Sequence, residues 1–353
     1  MKAILLAPTP PPAGGIAGWT VRMLDAKLKN GWELAVVDEK AIGNRQVFGK
    51  AGRRNLIDEL KRCHQIWSGL RRELKDPESK IVHSCIPSVT LAMVREYFCA
   101  VITKRRGRKF IIHFRCTVPN TTQGKIGQLV LRMLCNKSDL IISLNRQSSD
   151  YLSKITKTPV RLIPNFICAD ELVTDYEVRD ELKTVLYVGG LVENKGVYDC
   201  LEIAKRLPEI TFRFVGKGNS EFEEKAQAYS LSNVVFTGQK DRDGVKEELK
   251  KADVFLFMTY FRGEGFSNAL CEAMAAGLPC VVTDWAANRD MIGDSGGVVV
   301  GVKDVDGAVE ALKVMRDKNE RRRMSYANLQ KAKTKYVDQV VIDQYVEAYE
   351  NIL

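Results

Sequence analysis

The 353-residue chain is predicted to fold as two α/β domains, each a parallel sheet wrapped by helices, with a crevice at the carboxyl ends of both sheets. Three observations predict this. The length exceeds what one compact core usually holds and suits two domains. Short apolar runs alternate with amphipathic stretches, the pattern of βα units and parallel sheets. The alternation then starts afresh after an acidic, irregular stretch at 166–183, which marks the seam.

Taken in order, Lys2–Ala7 reads as a buried strand. It runs into Pro and Gly, not into a small-residue cleavage site, so it is no signal peptide. A loop at 8–18 precedes a helix through Val21, Leu24 and Leu28 to Gly31, and 34–37 is a strand. Helical segments fill much of 50–75, and 80–84 is a strand. Ser88 is placed to cap a helix running to about Lys104. Lys109–Phe114, 140–144 and 160–163 read as strands, with a helix at 125–135. In the second half, the strands Thr184–Val188, Thr211–Val215, 234–237, 254–258 and Cys280–Thr283 alternate with helices. These start near Gly196 and cover 220–229, 243–251 and 268–276. Helices occupy most of 305–353. The last has an apolar face at Tyr345, Ala348 and Ile352. The expected boundaries are 1–166, 167–335 and a crossover helix at 336–353.

Composition narrows the class. Apolar content of 45% with 28% charged residues is ordinary for a globular protein, and no apolar run is long enough to span a bilayer. Nine cysteines form no C-x-x-C pair and are odd in number, which reads as reduced core thiols in a cytoplasmic protein. The histidines at 64, 83 and 113 lack metal-ligand spacing, so no zinc site is expected.

Charge is unevenly spread. Residues 1–170 carry a net +16 and the remainder a net −6. Arg53-Arg54, Lys61-Arg62, Arg71-Arg72, Lys104-Arg105-Arg106 and Arg108-Lys109 supply most of the excess. Two readings stay open: a solvated surface, or a patch for anionic lipid headgroups or a phosphorylated acceptor. No RNP-type aromatic motif or zinc knuckle supports nucleic acid.

The most informative segment is Gly263-Glu264-Gly265-Phe266-Ser267-Asn268-Ala269-Leu270-Cys271-Glu272-Ala273-Met274-Ala275-Ala276-Gly277-Leu278-Pro279. Ser267 is a good N-cap, Gly277 a good C′ residue, and Pro279 forbids continuation. A short helix thus starts after a Gly-Glu-Gly turn, and its N–H groups and dipole suit a diphosphate. Glu264 in the turn and Glu272 in the helix are acceptors matched to sugar and ribose hydroxyls.

This segment resembles the E-x7-E signature of retaining glycosyltransferase family four (group 1), continuing into E-A-M-A-x-G-x-P. The resemblance implies a GT-B fold: two Rossmann-like domains facing across a cleft, with a C-terminal helix returning to the first. It places Glu264 by the transferred sugar and Glu272 on the ribose, with the amides of Gly265, Phe266, Ser267 and Asn268 around sugar and phosphate. The run Gly189-Gly190-Leu191-Val192-Glu193-Asn194-Lys195-Gly196 is similar to the family's G-R-x4-K-G segment, with Lys195 on the diphosphate. Here Gly190 stands where the usual Arg would be. The turn with Gly14, Gly15 and Gly18 resembles the family's glycine-rich turn beside the donor phosphates. His113 matches its active-site histidine, and Ile163-Pro164-Asn165-Phe166 its I-P-N-G element. Gly216 and the Gly238 region fall where base and ribose rest. His83 reads as a core or supporting residue.

These matches imply retaining transfer from a nucleotide diphosphate-sugar, UDP-sugar favoured, to a glycan or lipid-linked acceptor in surface polysaccharide synthesis. They imply no obligatory metal or other cofactor. The expected catalytic residues are His113, Glu264 and Lys195. A nucleotide-sugar epimerase or phosphorylase, or a catalytically weak nucleotide-sugar-binding partner subunit, remains the alternative. The basic first half adds the expectation of peripheral docking on an anionic inner-membrane face.

Overall fold

The computed structural model describes residues 1–11, 14–42, 56–173, 177–218 and 230–353, together with Phe222, Glu224, Ala226 and Tyr229. The expected helix at 220–229 therefore lies mostly outside the described residues, as do Arg53 and Arg54. The chain forms two compact units. One comprises Met1–Asn165, Arg262–Phe266 and Asp338–Leu353, the other Phe166–Phe261 and Ser267–Val337.

In the first unit the strands are β1 (Lys2–Ala7), β2 (Glu33–Asp38), β3 (Ser79–Ile86), β4 (Lys109–Phe114), β5 (Leu140–Ser143) and β6 (Val160–Leu162). They form one sheet in the order β2-β1-β3-β4-β5-β6, with every pair parallel. The order reverses between β1 and β3, which pair with Leu5 opposite His83. The helices are α1 (Gly15–Asp25), α2 (Leu56–Glu73), α3 (Thr90–Arg105), α4 (Val118–Thr121), α5 (Gly124–Lys137) and α6 (Arg146–Ile155). Parallel strands covered on both faces read as unbroken apolar runs. Accordingly Ile4, Leu6, Val82, Phe110, Ile112 and Ile141 meet in the core.

The second unit repeats the plan with β7 (Thr184–Val188), β8 (Thr211–Val215), β9 (Val234–Gly238), β10 (Val254–Phe257), β11 (Cys280–Thr283) and β12 (Gly297–Val300). Their order is β12-β11-β10-β7-β8-β9, again all parallel, and it reverses between β7 and β10, where Phe255 faces Leu186. Its helices are α7 (Val197–Arg206), α8 (Arg242–Lys251), α9 (Asn268–Ala275), α10 (Asn288–Ile292), α11 (Val305–Val314) and α12 (Lys318–Lys331). The last helix, α13 (Asp338–Glu350), packs on the first unit. It buries Val341, Ile342, Tyr345 and Tyr349 there, and its polar side reaches Asn30 through Glu350 at 2.8 Å and Arg161 through Glu347 at 3.1 Å.

Four local readings need correction. Helix α1 begins at Gly15, not after Gly18, because three glycines do not prevent a helical turn: the Gly18 N–H already bonds the Gly14 carbonyl at 2.8 Å. It also ends at Asp25, and it buries Ala17, Trp19, Thr20 and Met23 while Val21 and Leu24 are exposed. Ser88 does not cap α3. Val89 holds that position without a side-chain bond, and the Ser88 hydroxyl turns to Thr121 and the Val118 carbonyl. Helix α6 is absent from the sequence reading, although Tyr151, Leu152 and Ile155 share one face at helical spacing and pack on the core. Strand β12 was missed because glycines flank it on both sides, and only pairing with β11 makes it a strand.

All nine cysteines are free. Among the described residues, no helix is long and apolar enough to cross a membrane.

Candidate functional site

In open α/β sheets, ligands gather at the carboxyl ends of strands where the strand order reverses. In the second unit that point is the end of β7 beside the end of β10. The turn after β7 carries Gly189, Gly190 and Lys195. Gly189 donates to the Val215 carbonyl at 2.9 Å, and Gly216, after β8, donates to Gly238 at 3.0 Å. The ends of β7, β8 and β9 are thus laced together through Gly189, Gly216 and Gly238. Two glycines of these turns, Gly216 and Gly196, fill places that no side chain fits. A Cβ on Gly216 would lie 1.8 Å from the Gly189 carbonyl oxygen, and one on Gly196 would lie 2.0 Å from that of Met258. Gly190 differs, because nothing lies within 4 Å of where its Cβ would be.

The turn also reaches β10. The Asn194 carbonyl accepts the Tyr260 N–H at 2.9 Å, and the Lys195 ammonium lies 4.6 Å above the Phe261 ring. That places Lys195 at the point where the strand order reverses.

Helix α9 begins where the sequence indicated. The Ser267 hydroxyl accepts the Leu270 N–H at 3.2 Å, and no acidic residue occupies the first turn. At its end, Leu278 bonds back to Ala273 and Gly277 to Met274, both at 3.0 Å, with Gly277 at φ +76°. This is the Schellman arrangement that glycine permits without strain. Glu272 is half-buried on this helix.

Glu264, Gly265 and Phe266 pack with the first unit, and their carbonyls are tied down one after another. The Thr117 N–H and hydroxyl both donate to the Glu264 carbonyl, at 3.0 and 2.7 Å. Asn145 holds the Gly265 carbonyl at 3.0 Å, and Asn165 holds that of Phe266 at 3.2 Å. In a planar trans peptide, C=O and N–H point in opposite directions. The amides of Gly265, Phe266 and Ser267 therefore turn away from Thr117, Asn145 and Asn165. Gly265 packs closely here: a Cβ would lie 3.0 Å from the Cys116 Cα and from Leu144, so those neighbours would have to give by a few tenths of an ångström. Thr117 and Asn145 carried no local signal. Asn145 also caps α6 by accepting the Ser148 N–H at 2.8 Å.

In the first unit, Gly14 and Gly15 open α1, with open space where each Cβ would be. His113 lies near the end of β4 and is completely buried. A chain of hydrogen bonds fixes its state. Arg115 can only donate, so its Nη1–H donates a hydrogen bond to His113 Nε2 at 3.2 Å. His113 therefore carries its proton on Nδ1 and donates to His83 Nε2 at 3.1 Å. His83 in turn donates from Nδ1 to the Tyr349 hydroxyl at 2.7 Å. Both imidazoles are neutral. Burial first, and the neighbouring guanidinium second, lower His83 to about 3 and hold His113 well below its usual value. Trp19 and Tyr345 enclose the pair edge-on and tilted. With both nitrogens engaged, the group that His113 supports at the strand end is Arg115. A charged residue two positions beyond an apolar strand's histidine was the signal available in the sequence.

Among the described residues, His83, Cys85 and His113 form a group whose ligand atoms lie within 4.8 Å of one another. Its donors are already committed. The two imidazoles share a hydrogen bond, burial raises the Cys85 thiol, and the cationic Arg115 sits beside His113. A cation there would meet charge repulsion and break the relay, so the set does not fit a metal ion.

An apolar pocket of about 660 Å³ also opens in the first unit, lined by Leu60, Trp67, Cys85, Val89, Leu91 and Phe98. Beside it Arg95 holds Glu39 at 2.8 Å and Glu96 at 2.7 Å, and burial keeps Glu39 well above the usual carboxylate range.

Two parallel α/β units, each with a glycine-bearing turn at its strand-order reversal, define a double Rossmann-like protein. The fold is that of the GT-B glycosyltransferases: sucrose-phosphate synthase from Thermosynechococcus elongatus superposes with a TM-score of 0.81, covering 99% of this chain and 98% of that one at 15% identity. Residues 170–331 match the family described as glycosyl transferases group 1. The chain is 31% identical over 179 residues to the phosphatidyl-myo-inositol mannosyltransferase of Mycolicibacterium smegmatis, covering 49% of this chain and 46% of the relative. It is 25% identical over 267 residues to a 4-alpha-N-acetylgalactosaminyltransferase of Campylobacter jejuni that acts on a diphospho-undecaprenol substrate, covering 70% and 72%. The chain spans about half the length of the mannosyltransferases and the glucosyltransferase it matches.

Proposed function

We propose that the chain is a retaining glycosyltransferase that moves a sugar from a nucleotide diphosphate-sugar, UDP-sugar favoured, to a hydroxyl of a glycan or lipid-linked acceptor. The observation that carries this is the Ser267-capped start of α9, free of acidic residues in its first turn and following a Gly-Glu-Gly turn whose carbonyls are tied back. Fixed N–H donors and a positive helix end stabilise the charge that develops on a departing diphosphate without reorganising. Lys195 adds a point charge, Glu272 accepts the ribose hydroxyls, and Glu264 lies by the transferred sugar. On this reading no metal takes part. The test is donor binding and transfer by Lys195→Ala and Glu272→Ala. Lys195→Ala should lose roughly 10²–10³ in turnover, the usual effect of removing one fixed donor, and Glu272→Ala should weaken UDP binding. Wild-type behaviour of both variants refutes the assignment.

A second reading has one observation in its favour. Gly190 occupies the position of the family's arginine and leaves open space. A nucleotide-sugar-binding subunit of low turnover would show tight donor binding with neither transfer nor hydrolysis across varied acceptors.

The acceptor reading draws on the first unit. The apolar pocket suits the chain of a lipid-linked acceptor, with Leu60, Leu91 and Phe98 exposed at its wall. Helix α5 has no acidic residue and exposes Ile126 (73%) and Leu129 (58%) beside Lys125 and Arg132. Such a helix is suited to lie on an anionic bilayer. Arg71, Arg72, Arg105 and Arg106 are exposed, whereas Lys104 is held by Asp139 and Arg62 by the Glu39 carbonyl. Flotation with anionic vesicles at low salt should retain the protein, and its absence from the vesicle fraction would remove the docking reading.

A further inference from the structure

Three arginines are buried among the described residues, and two of them are fully compensated. Arg95 is paired with Glu39 and Glu96. Arg321 donates to four carbonyls, those of Met315, Arg316, Arg179 and Asp180, at 2.6 to 3.1 Å. Arg115 is 8% exposed and has neither kind of support. Among the described residues it makes no ion pair. Its Nη1 rests on a neutral imidazole, its guanidinium lies 4.5 Å over the Trp19 ring with the neutral Tyr345 hydroxyl beside it, and its buried Nε–H has no hydrogen-bond partner. Trp19 Nε1–H, on that same ring, has none either. Burying a permanent charge without a counter-charge costs several kcal/mol per ion, so a fold retains one only where something else offsets it. The side chain stands immediately past the carboxyl end of β4, the edge of the sheet where ligands bind.

We infer that Arg115 is the cation of an oxyanion site in the first unit, which takes a phosphate group. The guanidinium fork matches a phosphate in two parallel hydrogen bonds, and its charge is unscreened in this apolar setting. The His113–His83–Tyr349 relay holds the fork in place from behind. The geometry therefore makes His113 a positioning residue and Arg115 the residue that meets ligand. Two sources carry the chemistry: the diphosphate of a sugar donor, or a phosphate on the acceptor. The inference stands apart from the assignment of Lys195 and Glu272, which belong to the other unit.

Titration calorimetry of the whole chain with inorganic phosphate tests it. Wild type should bind phosphate, Arg115→Gln at least about tenfold more weakly. Arg115→Lys, which keeps the charge but not the fork, should fall between them. Repeating the titration in saturating UDP separates the sources: displacement of phosphate by UDP marks the donor diphosphate, and phosphate binding beside UDP marks the acceptor. No phosphate binding by wild type, or binding by Arg115→Gln and Arg115→Lys within twofold of wild type, overturns the inference. Failure of UDP to bind counts against the donor assignment alone, since the phosphate comparison is read without it.

Discussion

Gly196→Ala is the substitution whose effect the structure specifies most closely. The residue sits at φ +74° between Lys195 and α7, so any Cβ there incurs the left-handed penalty of about 1–2 kcal/mol. That Cβ would also lie 2.0 Å from the Met258 carbonyl oxygen, where contacts under 3.0 Å are essentially never found. The turn must therefore retreat from β10 by about 1 Å. Doing so strains the Tyr260 N–H to Asn194 bond at 2.9 Å, whose loss costs about 1–3 kcal/mol. The sum is about 2–5 kcal/mol, a large part of a typical domain's 5–15 kcal/mol. Two control glycines isolate the contributions. Gly238 has φ +73° with nothing within 4 Å, so Gly238→Ala should cost about 1–2 kcal/mol. Gly190 has neither problem, and Gly190→Ala should be neutral or stabilise by about 0.4–1 kcal/mol. Urea midpoints at constant m-value would read all three. If Gly196→Ala costs no more than Gly238→Ala, the clash is not real and the close approach of the Lys195 turn to β10 is wrong.

Other expectations follow from single contacts. Gly190→Arg should fold normally, since open space surrounds the Cβ position, and should tighten UDP binding by about tenfold through a second cation near the diphosphate; equal affinity in calorimetry would count against the placement of that turn. His83 is neutral when folded, with a value lowered to about 3 against about 6.5 unfolded. The unfolded chain thus takes up a proton that the folded one refuses, so its contribution to stability is whole above pH 6.5 and declines as pH falls toward 3. The decline is about 1.4 kcal/mol per pH unit, or about 2 kcal/mol between pH 6.5 and 5, and His113 acts in the same direction. His83→Gln should flatten the slope of stability against pH by one proton over that window; an unchanged slope would contradict a buried neutral imidazole. Ser267→Ala removes the cap on α9 and should cost about 1 kcal/mol in thermal stability, with a loss below about 0.3 speaking against that bond.

Much of this protein could be read without coordinates, and the reasons are local. Strands β1, β4, β7, β8 and β11 match the expected bounds because strands buried on both faces announce themselves as unbroken apolar runs. The limits of α9 were legible because a serine hydroxyl at one end and a left-handed glycine at the other act within four residues of the helix they close. Helix α1 shows where local reading fails. Its apolar residues suggest a face at Val21 and Leu24, yet the buried face is the one carrying Trp19 and Met23, because the sheet and α13 lie on that side.

The order of most elements, the parallel βα alternation and the caps of the helix within 263–279 were thus determined by the sequence itself, through periodicity and short-range hydrogen bonding. Only the tertiary structure decided that the Thr117 hydroxyl holds the Glu264 carbonyl, 147 positions away, and that Tyr349 closes a relay begun at Arg115 through His83, 266 positions earlier in the chain than Tyr349. It also decided which of the three arginines buried among the described residues has neither a carboxylate nor a carbonyl partner. The physical reason is that a hydrogen bond or an ion pair depends on distance in space, and no pattern along the chain encodes which distant residue the fold will bring within 3 Å.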